Sequence, residues 1–287
     1  MILRLSAFAD EASPCLAEQL KALKENNISQ IEIRNVNGKN ISALTDEEVA
    51  EAKKMLDEAG ITVSALGSPY GKYPADQPFD VHFADFKRGL DIADALGAKC
   101  IRMFSFYTDR PGEYRDEILS RLKQMIDEAD KHGITLYHEN EKGIYGDVKD
   151  RVKDLMMAFR GRMKFIFDPA NFIQCGVETG SAFDEISSDI YYMHVKDALK
   201  EDGSVVPAGC GDGCLVKILS SLGRDMTLSV EPHLRVFDGL GNLQTEELRT
   251  KYVYGTSREA FDAAVSALKK CLTEIGYTEG DNGTWMK

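Results

Sequence analysis

Four short motifs carry most of the residues that could do chemistry: YHEN at 137–140, FDPAN at 167–171, MHVKD at 193–197 and SVEPH at 229–233. Each closes a run of bulky or β-branched residues, so Glu139, Asp168, His194 and Glu231 stand at the C-terminal ends of predicted strands. A strand-end acid taken singly is commonly a helix N-cap or the partner of a nearby lysine, and a lone histidine is commonly a satisfied core residue. Four such residues at the same end of four successive strands are harder to explain that way. Three carboxylates brought together repel one another and shift one another's pKa unless a cation or shared protons neutralise them. Three oxygen donors and one imidazole suit a six-coordinate divalent ion with open positions. Mn²⁺ fits best, with Co²⁺, Mg²⁺, Fe²⁺ and Zn²⁺ as alternatives.

Other residues gather around these four. Lys196 follows His194 by two and shares its strand parity, so it can orient an oxygen or balance the carboxylates; the plainer role is an ion pair with Asp197 or Glu231. His233 follows Glu231 by two, as an acid/base or as support. Asn171 lies three residues past Asp168 and can hydrogen-bond a hydroxyl or carbonyl but cannot shuttle a proton. Arg34, Lys72 and His138 complete the candidate substrate contacts, against the alternative of solvated charges for the first two. Glu141 shares the parity of Glu139, but it should fall beyond the strand. The loop 209-GCGDG-213 could cradle an anion with its N–H groups, although a plain turn is the simpler expectation.

The elements that must position these residues are legible as an alternation. Eight apolar runs, at 2–8, 30–34, 61–66, 99–104, 134–139, 163–168, 190–195 and 226–231, are short and rich in Ile, Val, Phe and Tyr. Between them lie helical patterns at 14–26, 45–59, 80–96 and 112–132, weaker ones near 147–160, 179–188 and 212–222, and a strong one at 257–275. Gly60, Gly97, Gly133 and Gly161 follow helical patterns where a left-handed residue would end them. This predicts an α/β chain, a (β/α)8 TIM barrel forming one domain over 1–287, whose strand ends converge on one mouth. A doubly wound open sheet is the rival, but its usual glycine-rich turn after the first strand is missing: the segment reads FADEASP. Long loops are expected at 67–79 and 234–256, where they would shape a site or an oligomer interface. The polar tail, 277–287, holds the single Trp285 and is expected to be loosely ordered.

Composition narrows the partners. The formal net charge is −12, with 43% hydrophobic and 29% charged residues. An acidic chain is a poor match for a nucleic-acid backbone or an anionic membrane. No window reaches the ~18 apolar residues of a membrane span, and MILRLSAFADE does not read as a signal peptide. Six scattered cysteines read as reduced thiols in a cytoplasmic protein. Cys210 and Cys214 lack the second pair that a closed zinc site requires.

Taken together, the four motifs and the alternation resemble the xylose isomerase-like TIM-barrel superfamily of sugar-phosphate isomerase/epimerase-type proteins. That resemblance implies one bound Mn²⁺-type ion on Glu139, Asp168, His194 and Glu231, with Glu139 also favoured over Glu141 by the match. It implies that Glu139 and Glu231 are the proton-transfer pair, working through a metal-stabilised enediolate of a ketose or related polyol. Lys196 and His233 are the accessory catalytic candidates. Ketose 3-epimerases of the superfamily often carry a histidine where this chain has Asn171. A dehydratase or lyase acting on an inosose-like or 3-keto-glycoside substrate is therefore the enzymatic alternative. A barrel that binds a sugar or a protein without turnover is the non-enzymatic one.

Overall fold

All eight apolar runs are strands in the computed structural model, which describes residues 1–237 and 249–287. They are β1 (Ile2–Ala7), β2 (Gln30–Ile33), β3 (Thr62–Gly67), β4 (Cys100–Met103), β5 (Thr135–Glu139), β6 (Met163–Phe167), β7 (Ile190–Val195) and β8 (Met226–Val230). Parallel ladders join β2 through β8 in sequence order, and β8 pairs in parallel with β1. Helices α1 (Leu16–Glu25), α2 (Asp46–Ala59), α3 (Phe79–Leu96), α4 (Pro111–Lys131), α5 (Lys149–Ala158), α6 (Pro169–Gln174), α7 (Thr179–Ile186), α8 (Leu215–Ser221) and α9 (Ser257–Glu274) fill the connections. Strands covered on both faces must be apolar on both, which is why these runs are nearly continuous rather than alternating. The eight-fold alternation of parallel strand and helix expected from the sequence is the architecture found. Part of the expected 234–256 loop, 238–248, lies outside the described residues.

Local signals act where the sequence puts them. Thr45 and Glu48 form a reciprocal capping box at the start of α2. Gly60, Gly97, Gly133 and Gly161 all take positive φ, which lets each chain segment turn from helix back into strand. Helix α4 buries Ile118, Leu122, Met125, Ile126 and Ala129 at helical spacing. Each large side chain so buried contributes roughly 1.5–3 kcal/mol. Among the described residues no helix is long and apolar enough to cross a membrane.

One expectation needs correction. The tail is not loose: β9 (Thr278–Glu279) and β10 (Thr284–Met286) form a hairpin, and β10 pairs antiparallel with β1, Leu3 opposite Trp285. Trp285 is 2% exposed. The physical reason is an open edge. Strand β1 has β8 on one side, and its other edge, facing β2, carries no parallel ladder among the described residues. Unpaired edge groups are a liability, and β10 takes those at the bottom of that seam while its one tryptophan fills the space beneath.

The loop at 67–79 is held from below by His82. Its Nε2 accepts the Gly71 N–H at 2.9 Å, and its ring stacks on Tyr73 at 4.8 Å. Gly71 has φ +88, and a Cβ there would lie 2.0 Å from the Phe104 carbonyl oxygen, so no other residue fits. Burial pushes the His82 pKa down to about 4. The neutral ring is therefore favoured by folding. This stabilisation is complete above the unfolded value near 6.5; it declines as pH falls below that and is gone beneath about 4, a loss of about 3 kcal/mol at most. Urea unfolding at pH 7 and pH 4.5 should show a smaller pH-dependent loss in His82→Gln than in the parent chain. Equal losses would rule His82 out as the source.

Candidate metal centre and active site

The quartet forms at the C-terminal ends of β5 to β8. Strand alternation turns Glu139 inward and its neighbour His138 outward. Asp168 caps α6, accepting the Asn171 N–H at Oδ1 (2.8 Å) and leaving Oδ2 to face the barrel axis. One donor atom from each of Glu139, Asp168, His194 and Glu231 lies within 4.8 Å of the others, and all four side chains are buried. His194 Nδ1 stands 3.1 Å from Glu139 Oε1, 3.6 Å from Glu231 Oε2 and 4.0 Å from Asp168 Oδ2. Neither His194 Nδ1 nor Asp168 Oδ2 has a well-directed hydrogen bond. Buried polar atoms are rarely left so. Two such atoms facing one small space, with two further carboxylates, fit a divalent cation.

Charges set deep in the barrel hold this arrangement. Arg102 donates to Glu139 Oε2 at 3.0 Å and lies over the rings of Phe8 and Phe104. Arg34 reaches Glu231 Oε1 at 3.3 Å, but it also pairs with Asp10 through two bonds of 2.8 and 3.0 Å and with Glu11 at 3.0 Å. Lys196 Nζ sits between Glu231 Oε2 (2.8 Å) and Asp168 Oδ2 (3.0 Å). Burial alone would push every carboxyl up. In Glu139 it is outweighed by the charges of His194 and Arg102, leaving a pKa of about 2. In Glu231 it is outweighed by Lys196 and His233, again placing the group well below the usual range. For Asp168 burial prevails over Lys196, with Glu231 and Glu139 repelling in the same direction, and the pKa is pushed up to about 7.

His194 is oriented from behind by Glu32. Its Nε2 lies 3.2 and 3.1 Å from the two Glu32 oxygens, so Nε2–H donates there and Nδ1 is turned toward Glu139, Asp168 and Glu231. Glu32 is fully buried on β2, across the barrel. Burial disfavours a charged His194 ring, and the Glu139 and Glu32 carboxylates more than offset this, raising its pKa. Such a carboxylate–histidine pair fixes the ring and raises its basicity as a ligand.

The remaining candidates separate into two groups. Lys196, Asn171, His233, Arg34 and Lys72 all line a cavity of about 290 Å³ above the quartet. Asn171 donates from Nδ2 to Glu139 Oε1 (3.0 Å) and to the Asn140 carbonyl (2.9 Å). Lys72 donates to Glu141 at 3.0 Å and rests over Phe104, which places Glu141 on the wall rather than in the quartet. His233 takes φ +44 because its N–H donates to Glu11 Oε2 at 2.7 Å, which also sets its Nδ1 3.0 Å from Glu11 Oε1. His138, expected to contact substrate, does not reach the mouth. It is fully buried behind β5, its Nε2 bonded to Ser105 Oγ at 2.9 Å and its ring against Phe165, and burial pushes its pKa down to about 3.

The glycine loop also has a definite partner. The N–H groups of Gly209, Gly211 and Gly213 donate to the Asp197 carboxylate at 3.0, 3.0 and 2.9 Å, joined by Ala198 N at 2.9 Å. A Cβ at Gly211 or Gly213 would come within 2.4 or 2.6 Å of Asp197 Oδ1. The loop does cradle an anion, and that anion is its own aspartate.

Sequence reasoning missed Glu32, Arg102, Asp10, Glu11 and the role of Asn140. Asn140 bridges two strand ends, accepting the Asp168 N–H and donating to the Asp168 carbonyl, both at 2.9 Å. The available signal was a charged residue flanked by apolar ones inside a short strand, Glu32 between Ile31 and Ile33 and Arg102 between Ile101 and Met103.

A family model described as xylose isomerase-like TIM barrel matches residues 20–269. No curated protein matches the sequence. Among solved structures, the IOLI protein with a binding zinc atom is 17% identical, covering 96% of this chain and 99% of its own, with a TM-score of 0.73. The probable 3-DHS dehydratase AsbF of Bacillus anthracis is 13% identical, covering 94% and 99%, with a TM-score of 0.71. A D-tagatose 3-epimerase-like protein is 16% identical, covering 95% and 98%, with a TM-score of 0.69.

Proposed function

The chain belongs to the xylose isomerase-like TIM-barrel family, and from that premise we propose that it is a divalent-metal-dependent isomerase or epimerase of a ketose or related polyol. The observation that carries this reading is the convergence of Glu139, Asp168, His194 and Glu231 within 4.8 Å at the mouth. Mn²⁺ suits this donor set best, with Co²⁺, Mg²⁺, Fe²⁺ and Zn²⁺ as alternatives. A cation held there supplies Lewis acidity, which polarises a carbonyl and acidifies the adjacent C–H.

The other steps fall to side chains. Glu139 and Glu231 come from β5 and β8, with β6 and β7 between them. Both carboxyl pKa values are lowered, so both are ionised at neutral pH and can accept a proton. One removes the proton from carbon; the other takes a proton from solvent and delivers it to that carbon, and the first then releases its proton to solvent, which restores both carboxylates. Arg102 and Asn171 fix Glu139, while Arg34 and Lys196 fix Glu231. Lys196 can also donate to a substrate oxygen, and His233 stands beside Glu231 as a second donor at the rim.

Elimination is the second reading, and Asn171 favours it. Its amide holds Glu139 and cannot take a proton, whereas Lys196 is placed to protonate a departing hydroxyl or aglycone. One experiment separates the readings. Protein purified without chelator is expected to hold about one divalent ion per chain through these four ligands. Incubated in D₂O with keto-sugars and inososes, it should place deuterium on carbon. Exchange without loss of water or aglycone marks the isomerase; elimination products mark the lyase. A chain that holds no metal, or that binds sugars without exchange, would overturn both.

A further inference from the structure

The formal charge of the chain is −12, so a gathering of cations at one place is not an average of its surface. The mouth is such a place, lined by Lys72, Arg102, Lys142, Lys196, Lys200 and Arg249. Its carboxylates are already engaged. Glu141 pairs with Lys72, Glu231 with Lys196, and Glu201 and Asp202 lie 3.5 and 3.4 Å from Lys251 Nζ. Lys200 and Arg249 differ. Among the described residues neither has a carboxylate within ion-pair distance of its charged group. Among the described residues, the Arg249 guanidinium donates to a neutral carbonyl, that of Asp202, at 3.3 Å.

Both cations sit on built backbone. Lys200 N donates to Asp212 Oδ2 at 2.7 Å, and the Arg249 carbonyl accepts Val205 N–H at 2.8 Å. The segment carrying Arg249 is thereby tied to the two-stranded ribbon Asp197–Ala198 with Val205–Val206, which follows β7. The glycine loop beside this ribbon is not a competing anion site, because Asp197 uses its N–H groups.

We infer that the substrate carries a permanent anionic group, a carboxylate or a phosphate, at the end remote from its carbonyl, and that Lys200 and Arg249 bind it. The inference rests on the proposed enzyme reading for where the carbonyl lies. A neutral sugar gains ordinary hydrogen bonds from these side chains, whereas an anion gains charge-assisted ones and is also steered into the mouth.

The test uses the full chain loaded with Mn²⁺ and three matched series: neutral ketohexoses, their 6-phosphates, and keto-hexuronates. Deuterium exchange is expected to be at least about 10-fold higher in kcat/KM for one anionic series than for the neutral one. Which series responds identifies carboxylate or phosphate. The preference should shrink toward unity in K200Q/R249Q and as NaCl rises from low to high ionic strength. Direct titration of a keto-hexuronate and a hexose 6-phosphate should show affinity weakened at least about 5-fold in the same double variant. Neutral substrates exchanged as well as or better than both anionic series would overturn the inference while leaving the enzyme reading intact. If no series exchanges, the enzyme reading fails, and the titration alone decides: anion binding lost in the double variant supports the charge assignment, and binding that is absent or unchanged overturns it.

Discussion

Glu231→Gln is expected to lower solvent-deuterium exchange into a bound keto-sugar by about 10³-fold or more. The substitution keeps the shape of the side chain and removes its charge and its proton affinity. Three consequences follow from the contacts. Lys196 loses one of its two carboxylate partners, Arg34 loses the charge on its third, and the quartet falls from three carboxylates to two. Metal content must therefore be measured on the same sample. Exchange lost while substantial metal remains identifies Glu231 as a proton acceptor; exchange and metal lost together identify it chiefly as a ligand. A variant that keeps more than a tenth of the parent exchange would remove Glu231 from the chemistry. Glu139→Gln is the natural companion, because Arg102 and Asn171 would still hold the amide in place.

Asp197→Ala is expected to have the largest effect on stability, about 3–5 kcal/mol. Four backbone N–H groups converge on that carboxylate, and those of Gly213 and Ala198 are buried. Alanine leaves them without an acceptor in a loop whose close approach was built around one. Leaving a buried donor unsatisfied costs roughly 1–3 kcal/mol, so two such losses amount to roughly 2–6 kcal/mol, a range that brackets the expected effect. Chemical denaturation measures the difference directly. A loss below about 1 kcal/mol would mean that water enters the loop and replaces the carboxylate.

The fold was legible because a (β/α)8 barrel repeats one local pattern. Each apolar run, each helical stripe and each left-handed glycine carried the same information again, and errors at one boundary did not propagate. The convergence of the quartet was legible for a related reason: a barrel sends strand ends to one mouth, so Glu139, Asp168, His194 and Glu231 could be compared by position alone. Glu32 and Arg102 were not legible. Lys164 in MKFIF looks identical to them, a charge between apolar neighbours, yet it rests on the outside against Tyr191. Which face a strand residue takes follows from its pairing register, and register is a long-range property. His138 failed for the same reason, one residue out of phase with Glu139. The tail failed because its sequence is polar, and its order comes from an edge of β1 at the far end of the chain, Leu3 opposite Trp285, rather than from anything local.

That distant pairing bears on how the molecule is made. Strand β1 pairs with β8 on one edge and β10 on the other, Leu3 lying opposite both Met226 and Trp285. Neither partner has been made when β1 emerges. β2 to β7 can pair with strands already or next to emerge, but β1 must wait as an apolar segment, Leu3 and Leu5 included, with both edges unsatisfied. Chain closure at such sequence separation is slow relative to local pairing. During translation the first strand is therefore the segment most open to chaperones and to aggregation. Nascent chains released before residue 284 should leave β1 exposed at the edge that Trp285 finally covers.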